Sequence, residues 1–417
     1  MCYHLMSADS SLSFQSDNRL FGSVRTVWWR YESAQSKRAK VADLSDRADR
    51  AGRNLKKNLC PPDSTMLEVL MNSTLSNEQS SRVFENPLIM GRVVQYLNFL
   101  EIRRLRRTSH GILACVDHLK PDPRIEKCLV QMDTKSSLAS VTFKGYPHVK
   151  HRFYEDTTNG ISSQILTDFE AYFKNQKTCM TELKLNFSYC GQTEIFENAE
   201  DSESLKTLIL ETLNPITSEF LARFQKILEA RPEPLKVQKL DLMSVRPSEV
   251  IQILPYLDAG SLKILEIRDP YLEYERKFER ENYPESLKIP FDIEEIAKTE
   301  QWQNAKELEF HSFTISTPIQ KMNLIQFSKM FISDVQRITS EDVAYLKENL
   351  LTTSSTLAEF TIRFKEFVGP EHLYDHIGHP SRINSVGQKF WSFRFPMSED
   401  YLEIGLDHDA INLKRVP

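Results

Sequence analysis

Three histidines stand close together in the segment HLYDHIGH: His372, His376 and His379, with Asp375 among them. Imidazoles four residues apart on a helix share a face and can bind a divalent metal, and His372 and His376 have that spacing. The rest of the pattern does not follow. A zinc protease carries glutamate directly after the first histidine, where this chain has Leu373, and Gly378 with Pro380 ends any helix just beyond. The segment reads as a surface loop. Six cysteines, Cys2, Cys60, Cys115, Cys128, Cys179 and Cys190, form no close pairs, which suits reduced thiols in an intracellular protein. None stands in a recognisable thiolate-nucleophile context, and Cys115 reads as a small core residue. Among only twelve glycines there is no Gly-x-Ser-x-Gly elbow, no Gly-x-Gly-x-x-Gly turn and no Gly-x-x-x-x-Gly-Lys loop to cradle phosphate. The expectation is a chain with no catalytic residues, no cofactor and no bound metal.

A chain without its own chemistry works through surfaces, and the segment Asn86–Asp117, NPLIMGRVVQYLNFLEIRRLRRTSHGILACVD, is the most informative one. Asn86 is placed to cap a helix whose first residue is Pro87, where the missing amide proton has no partner to lose. The helix is expected to run to about Leu97. Leu88, Ile89, Val93, Leu97 and Leu100 recur at helical spacing, interrupted by the polar Arg92, Gln95 and Asn98. A second helix carries Ile102, Leu105, Ile112, Val116 and Leu119, and Arg103, Arg104, Arg106 and Arg107 make its first half positive. A helical unit of about 40 residues buries too little surface to be very stable alone, so its leftover apolar positions must pack on something else.

The whole chain has 417 residues, enough for two or three domains. Forty per cent hydrophobic and 27% charged residues is an ordinary globular balance, and a net charge of −5 points to no polyelectrolyte partner. No run of eighteen apolar residues occurs, and the first residues carry Asp9 and Asp17 in place of an apolar core, so neither a secretory signal nor a membrane anchor is expected. Residues 1–80 are expected to be a disordered tail. Within it lie the aromatic group Trp28, Trp29 and Tyr31 and a basic stretch from Lys37 to Lys57, which reads as solvated, with nucleic-acid contact or nuclear import as its alternative.

Beyond the helical unit, Pro121 and Pro123 break the chain before an apolar run that can form a strand. Strand-like cores then recur: LKLNF (Leu183–Phe187), LKTLIL (Leu205–Leu210), VQKLDLM (Val237–Met243), LKILEI (Leu262–Ile267), AKELEF (Ala305–Phe310) and AEFTIRF (Ala358–Phe364). Amphipathic helical stretches lie between them, at Glu219–Ala230, Pro247–Leu257 and Ser340–Leu350. A strand and a helix at this period is the signature of an irregular leucine-rich-repeat-like solenoid, with a doubly wound α/β sheet as the competing architecture. In a solenoid the strands line one face, and Lys184, Asn186, Asp241, Glu266, Arg268, Glu309 and Arg363 would look outward from it.

The pattern Pro-Leu-Ile-x-x-x-Val-Val-x-Tyr-Leu, then Leu-Arg-Arg-x-Ser-x-x-Ile-x-x-x-Val-Asp, resembles an F-box of the version found in the nematode F-box A family. The region after it resembles the FTH domain of the same family, most clearly at Ile332–Leu351 with AEFTIRF, and at FWSFRF, YLEIGL and INLKRV near residue 417. The resemblance covers about residues 85–417 and leaves the composition-based disordered tail at 1–80 outside it; within an α/β chain it implies an F-box at 81–125, a connecting segment at 126–160 and an FTH, target-binding domain at 161–417. It implies docking to a Skp-type adaptor and, through it, a cullin scaffold, with Pro87, Leu88, Ile89, Val93, Leu97, Leu100, Arg103 and Leu105 at the adaptor. Asn86 departs from the leucine many F-boxes carry there. The implied function is the substrate-recognition subunit of a ubiquitin ligase, in the cytoplasm or nucleus, holding an unidentified target protein and engaging neither membrane nor nucleic acid. The alternative is a scaffold that holds a protein or ribonucleoprotein without marking it for degradation.

Overall fold

A computed structural model describes residues 86–133, 138–145, 149–156, 163–188, 217–244, 246–269, 290–353, 356–396 and 398–417. The tail at 1–80, its Trp28, Trp29, Tyr31 and Lys37–Lys57 features, and the LKTLIL core lie outside them.

Three helices come first: α1 (Pro87–Val94), α2 (Phe99–Arg106) and α3 (His110–Leu119). Side-chain caps fix their starts. The Asn86 carboxamide oxygen accepts the Leu88 amide at 3.0 Å, with Pro87 in the first turn as expected. Asn98 accepts the amides of Leu100 and Glu101 while the Glu101 carboxylate accepts the Asn98 amide, a complete capping box. Helix α1 stops three residues short of Leu97, because Asn98 claims the start of the next helix. The expected single second helix is two helices, α2 and α3. The Ser109 hydroxyl accepts the Ile112 amide at 3.1 Å and starts α3 afresh. Met90, Val94, Ile102, Cys115 and Val116 form the small core of this unit, with Val93, Leu97, Leu105, Ile112 and Leu119 packed against it.

The stretch 126–160 is no connecting segment. It holds β1 (Ile125–Asp133), β2 (Leu138–Gly145) and β3 (Val149–Asp156), an antiparallel meander at one end of a large sheet. Ile125, Cys128, Val130 and Met132 are buried on β1, and that apolar set is what commits the segment to the core. There follow α4 (Ser163–Phe173), β4 (Glu182–Ser188), α5 (residues 217–229), β5 (Lys239–Met243), α6 (Pro247–Ile253) and β6 (Ile264–Arg268). Next are β7 (Pro290–Phe291), α7 (Glu294–Ala297), α8 (Glu300–Asn304), β8 (Glu307–His311), β9 (Thr314–Ile315), β10 (Lys329–Thr339) and α9 (Ser340–Thr353). The chain closes with β11 (Glu359–Val368), α10 (Leu373–Ile377), β12 (Arg382–Ile383), β13 (Lys389–Arg394), β14 (Tyr401–Leu406) and β15 (Ala410–Val416).

This is a mixed α/β protein built on one large sheet. Its central strands β1, β4, β5, β6, β8, β10 and β11 are parallel and lie side by side in chain order. A doubly wound sheet reverses its strand order at a switch point, and these strands show no reversal. Beyond β11 the order continues antiparallel through β15, β14, β13 and β12. On one face Leu183, Leu185, Leu240, Leu242, Leu265, Ile267, Leu308, Phe310, Met330, Ile332, Phe360 and Ile362 are all buried. Alternate positions point the other way and are mostly polar, whereas strands covered on both faces read as unbroken apolar runs.

Candidate functional site

Two surfaces carry the residues singled out in the sequence. The first is the exposed side of the helical unit. Pro87 lies open, Leu88 is 82% exposed, and Tyr96 in the turn after α1 is 84% exposed. Both are large side chains left open to solvent on a small unit. Ile89, Val93, Leu97 and Leu105 are half-buried, and the last three pack on the unit's own core. Leu100 is half-buried and packs against the core of the sheet. Arg103 is half-buried, Arg104 and Arg107 are exposed, and Arg106 is tied to Asp117 at 2.8 Å. The arginines gather at the C-terminal end of α2, where the helix dipole favours positive charge. Tyr96 belonged to the motif but was not singled out for the site; its aromatic ring in a polar turn was the available signal.

The second surface is the polar face of the parallel strands. In register, Lys184 stands beside Asp241, Asp241 beside Glu266, Glu266 beside Glu309, and Glu309 beside Phe331. One row on, Met243, Arg268 and His311 are neighbours. Asp241 is buried and takes Lys184 at 2.6 Å on one oxygen and Arg268 at 2.5 Å and 2.9 Å on the other. Glu266 takes Lys239 at 2.7 Å and Arg268 at 3.2 Å. Burial works to lower the Lys239 ammonium's pKa, but the hydrogen bond and charge of Glu266, with Asp241 and Glu182 behind it, hold it above its ordinary value. Five of the seven residues expected on this face are thus gathered into one place. Four of them, Lys184, Asp241, Glu266 and Arg268, neutralise one another.

The other two fall elsewhere. Asn186 is buried, and its carboxamide oxygen finds no hydrogen-bond partner among the described residues. Arg363 is near the far end of the parallel run, paired with Asp409 at 2.7 Å. What the sequence did not single out is the pair His311 and Phe331. Their rings lie 5.2 Å apart, and His311 Nε2 is 3.3 Å from a Glu309 oxygen. Glu266, Glu309 and His311 bring ligand atoms within 4.8 Å of one another. Both Glu266 oxygens there already face cations, Lys239 and Arg268.

The histidines of HLYDHIGH are spread over separate partners. His372 ends a 3-10 turn (Pro370–His372) and faces Asp375 at 3.6 Å, His376 faces Glu341 at 3.6 Å, and His379 lies against the Tyr374 ring. Cys128 is fully buried, and burial pushes its thiol pKa well up, which makes it a poor nucleophile.

Comparison with protein families matches residues 218–373 to the FTH domain. The chain carries an FTH domain. It begins in α5 and ends at Leu373, taking in the parallel strands from β5 to β11 and with them Asp241, Glu266, Arg268, Glu309, His311 and Phe331. The match is shorter than the expected 161–417: β1 to β4 and β12 to β15 lie outside the matched residues, though they extend the same sheet. No curated protein and no solved structure matches the chain. Among the described residues, no helix is long and apolar enough to cross a membrane.

Proposed function

We propose that this protein is the target-recognition subunit of a Skp-cullin-F-box ubiquitin ligase. The observation that carries the reading is the FTH domain at 218–373, a domain of the type associated with F-box proteins, downstream of a three-helix unit that exposes Leu88 and Tyr96. In this reading α1 to α3 are the F-box, and Pro87, Leu88, Ile89, Val93 and Leu97 meet the adaptor together with Tyr96. Leu105 and Arg103 lie at its margin. The arginines of α2 speed association with an acidic adaptor by steering it. The parallel strands, in chain order and polar on one face, are a leucine-rich-repeat-like solenoid that holds the target. No side chain of this chain takes part in transfer; holding the target near an activated ubiquitin raises its effective concentration, and that proximity is the catalysis.

The test is capture of the full-length chain by purified Skp adaptor, with Leu88→Asp beside the wild type. Leu88 is the better probe because it is 82% exposed, so a charge there leaves the fold intact. Val93 packs on the unit's core, and Val93→Asp would unfold it as well. Capture of wild type and loss in Leu88→Asp supports the reading. Equal capture of both, or of neither, removes the F-box assignment and leaves a scaffold.

A further inference from the structure

The helical unit and the sheet share more than a covalent link. Phe99, the first residue of α2, is fully buried, yet in the core of the sheet and not in that of the helices. Its ring lies 6.0 Å from Phe143 of β2 and 5.5 Å from Tyr172 of α4, edge to face in both cases. Gly145 makes the space: a Cβ there would sit 2.9 Å from the Phe99 ring and 3.0 Å from the Arg124 carbonyl. Leu100 packs beside it on the same core.

The chain between α3 and β1 adds a second fixing. Pro121 and Pro123 set their own φ angles, and Lys120 and Arg124 hold left-handed φ values of 47° and 55°. Such conformations are strained for a non-glycine residue, so they persist where the surroundings dictate them. The surroundings are explicit. The Asp122 carboxylate accepts the Arg124 amide at 3.0 Å and the Thr178 amide at 2.8 Å. The Gln176 carboxamide, buried, accepts the Ile125 amide at 3.0 Å and donates to the Ile125 carbonyl at 2.9 Å, as a neighbouring strand would. Arg231 in turn donates to the Gln176 carbonyl at 2.7 Å.

We propose that this joint is a positioning device, with Phe99 as its plug, that holds α1 at one distance and angle from the polar face of the parallel strands. A flexible linker would spread a bound target over a wide volume; a fixed joint presents it at one place relative to whatever docks on α1. What docks there rests on the proposed function, while the rigidity does not.

The experiment measures the distance between spin labels on the full-length chain, at His118→Cys on α3 and Lys329→Cys on β10, both exposed positions. Cys2, Cys60, Cys179 and Cys190 are replaced by serine, and the buried Cys115 and Cys128 stay. A second pair, Lys329→Cys with Glu348→Cys on α9, reports on the sheet domain alone. The expected result is one narrow distance for both pairs, lost for the His118 pair alone in Phe99→Ala, in Gln176→Ala and in Gly145→Val. A broad wild-type distribution, or a narrow one that survives all three variants, overturns the proposal. Leu88→Asp should abolish adaptor capture and leave both distances unchanged, so a failure of the adaptor reading is distinct from a failure of the joint.

Discussion

The helical unit and the sheet domain manage the same problem at different scales. The unit buries five apolar side chains as its own core, whereas the sheet's core runs without interruption from Phe99 and Ile125 to Leu413. Small units bury a smaller share of their surface and are marginal alone. This one is completed by lending Phe99 to the larger core, and the side chains it leaves outside, Leu88 and Tyr96, are those free to meet a partner. Stability and the proposed docking surface are thus divided between neighbouring positions of one short sequence.

The contrast can be broken from either side. In the sheet, Trp302 is fully buried and its indole N–H donates to the Met322 carbonyl at 2.9 Å. Trp302→Ala should cost about 3–5 kcal/mol, read as a lower urea midpoint for the whole domain. Asp241→Ala leaves Arg268 buried without its main partner and should cost roughly 3–5 kcal/mol by the same measurement, with much of it recovered by a second change, Arg268→Met. In the helical unit, Asn98→Ala removes the capping box and should cost about 1 kcal/mol. That loss should appear in hydrogen exchange as reduced amide protection across α2, with β5 to β8 unchanged. Exchange that rises equally in both regions would mean that they open as one unit. Leu88→Ala touches no core and should move stability by less than about 0.5 kcal/mol, while weakening adaptor capture.

The smallest effect lies in pH dependence. A lysine whose folded pKa is raised contributes stability that is fully present below its unfolded pKa and is lost as pH rises through the folded value. Lys239 is such a group. Lys239→Met should therefore leave a denaturation midpoint that falls less between the ordinary lysine range and the raised folded value than wild type does.

Much of the architecture was legible because periodicity is local. Leu183 with Leu185, Leu240 with Leu242 and Leu308 with Phe310 alternate in the sequence as they do on the strands, and α5 (residues 217–229) and α9 (Ser340–Thr353) lie where the apolar spacing of Glu219–Ala230 and Ser340–Leu350 put helices. Asn86 and Pro87 announced the start of α1 by a mechanism that involves no distant residue. Boundaries set by competition were harder. The break between α2 and α3 turns on Ser109 capping its own helix, and the place of β1 in the sheet turns on a partner, β4, some fifty residues away.

On the polar face the sequence supplied candidates without their relations. Parity along each strand placed Lys184, Asp241, Glu266, Arg268 and Glu309 outward, but which charges would cancel depended on the register of separate strands.

The sequence alone determined which residues cap, which alternate, and which segment carries the helical motif, because those properties depend on neighbours within a few positions. Only the tertiary structure decided that Leu100 and Phe99 belong to the sheet, that Gly145 must lack a side chain, and that Arg268 bridges Asp241 and Glu266. Each of those depends on at least one contact between residues far apart in the chain, from Arg268 with Asp241, 27 positions away, to Phe99 with Tyr172, 73 positions away, and such contacts exist only after the strands have chosen their order.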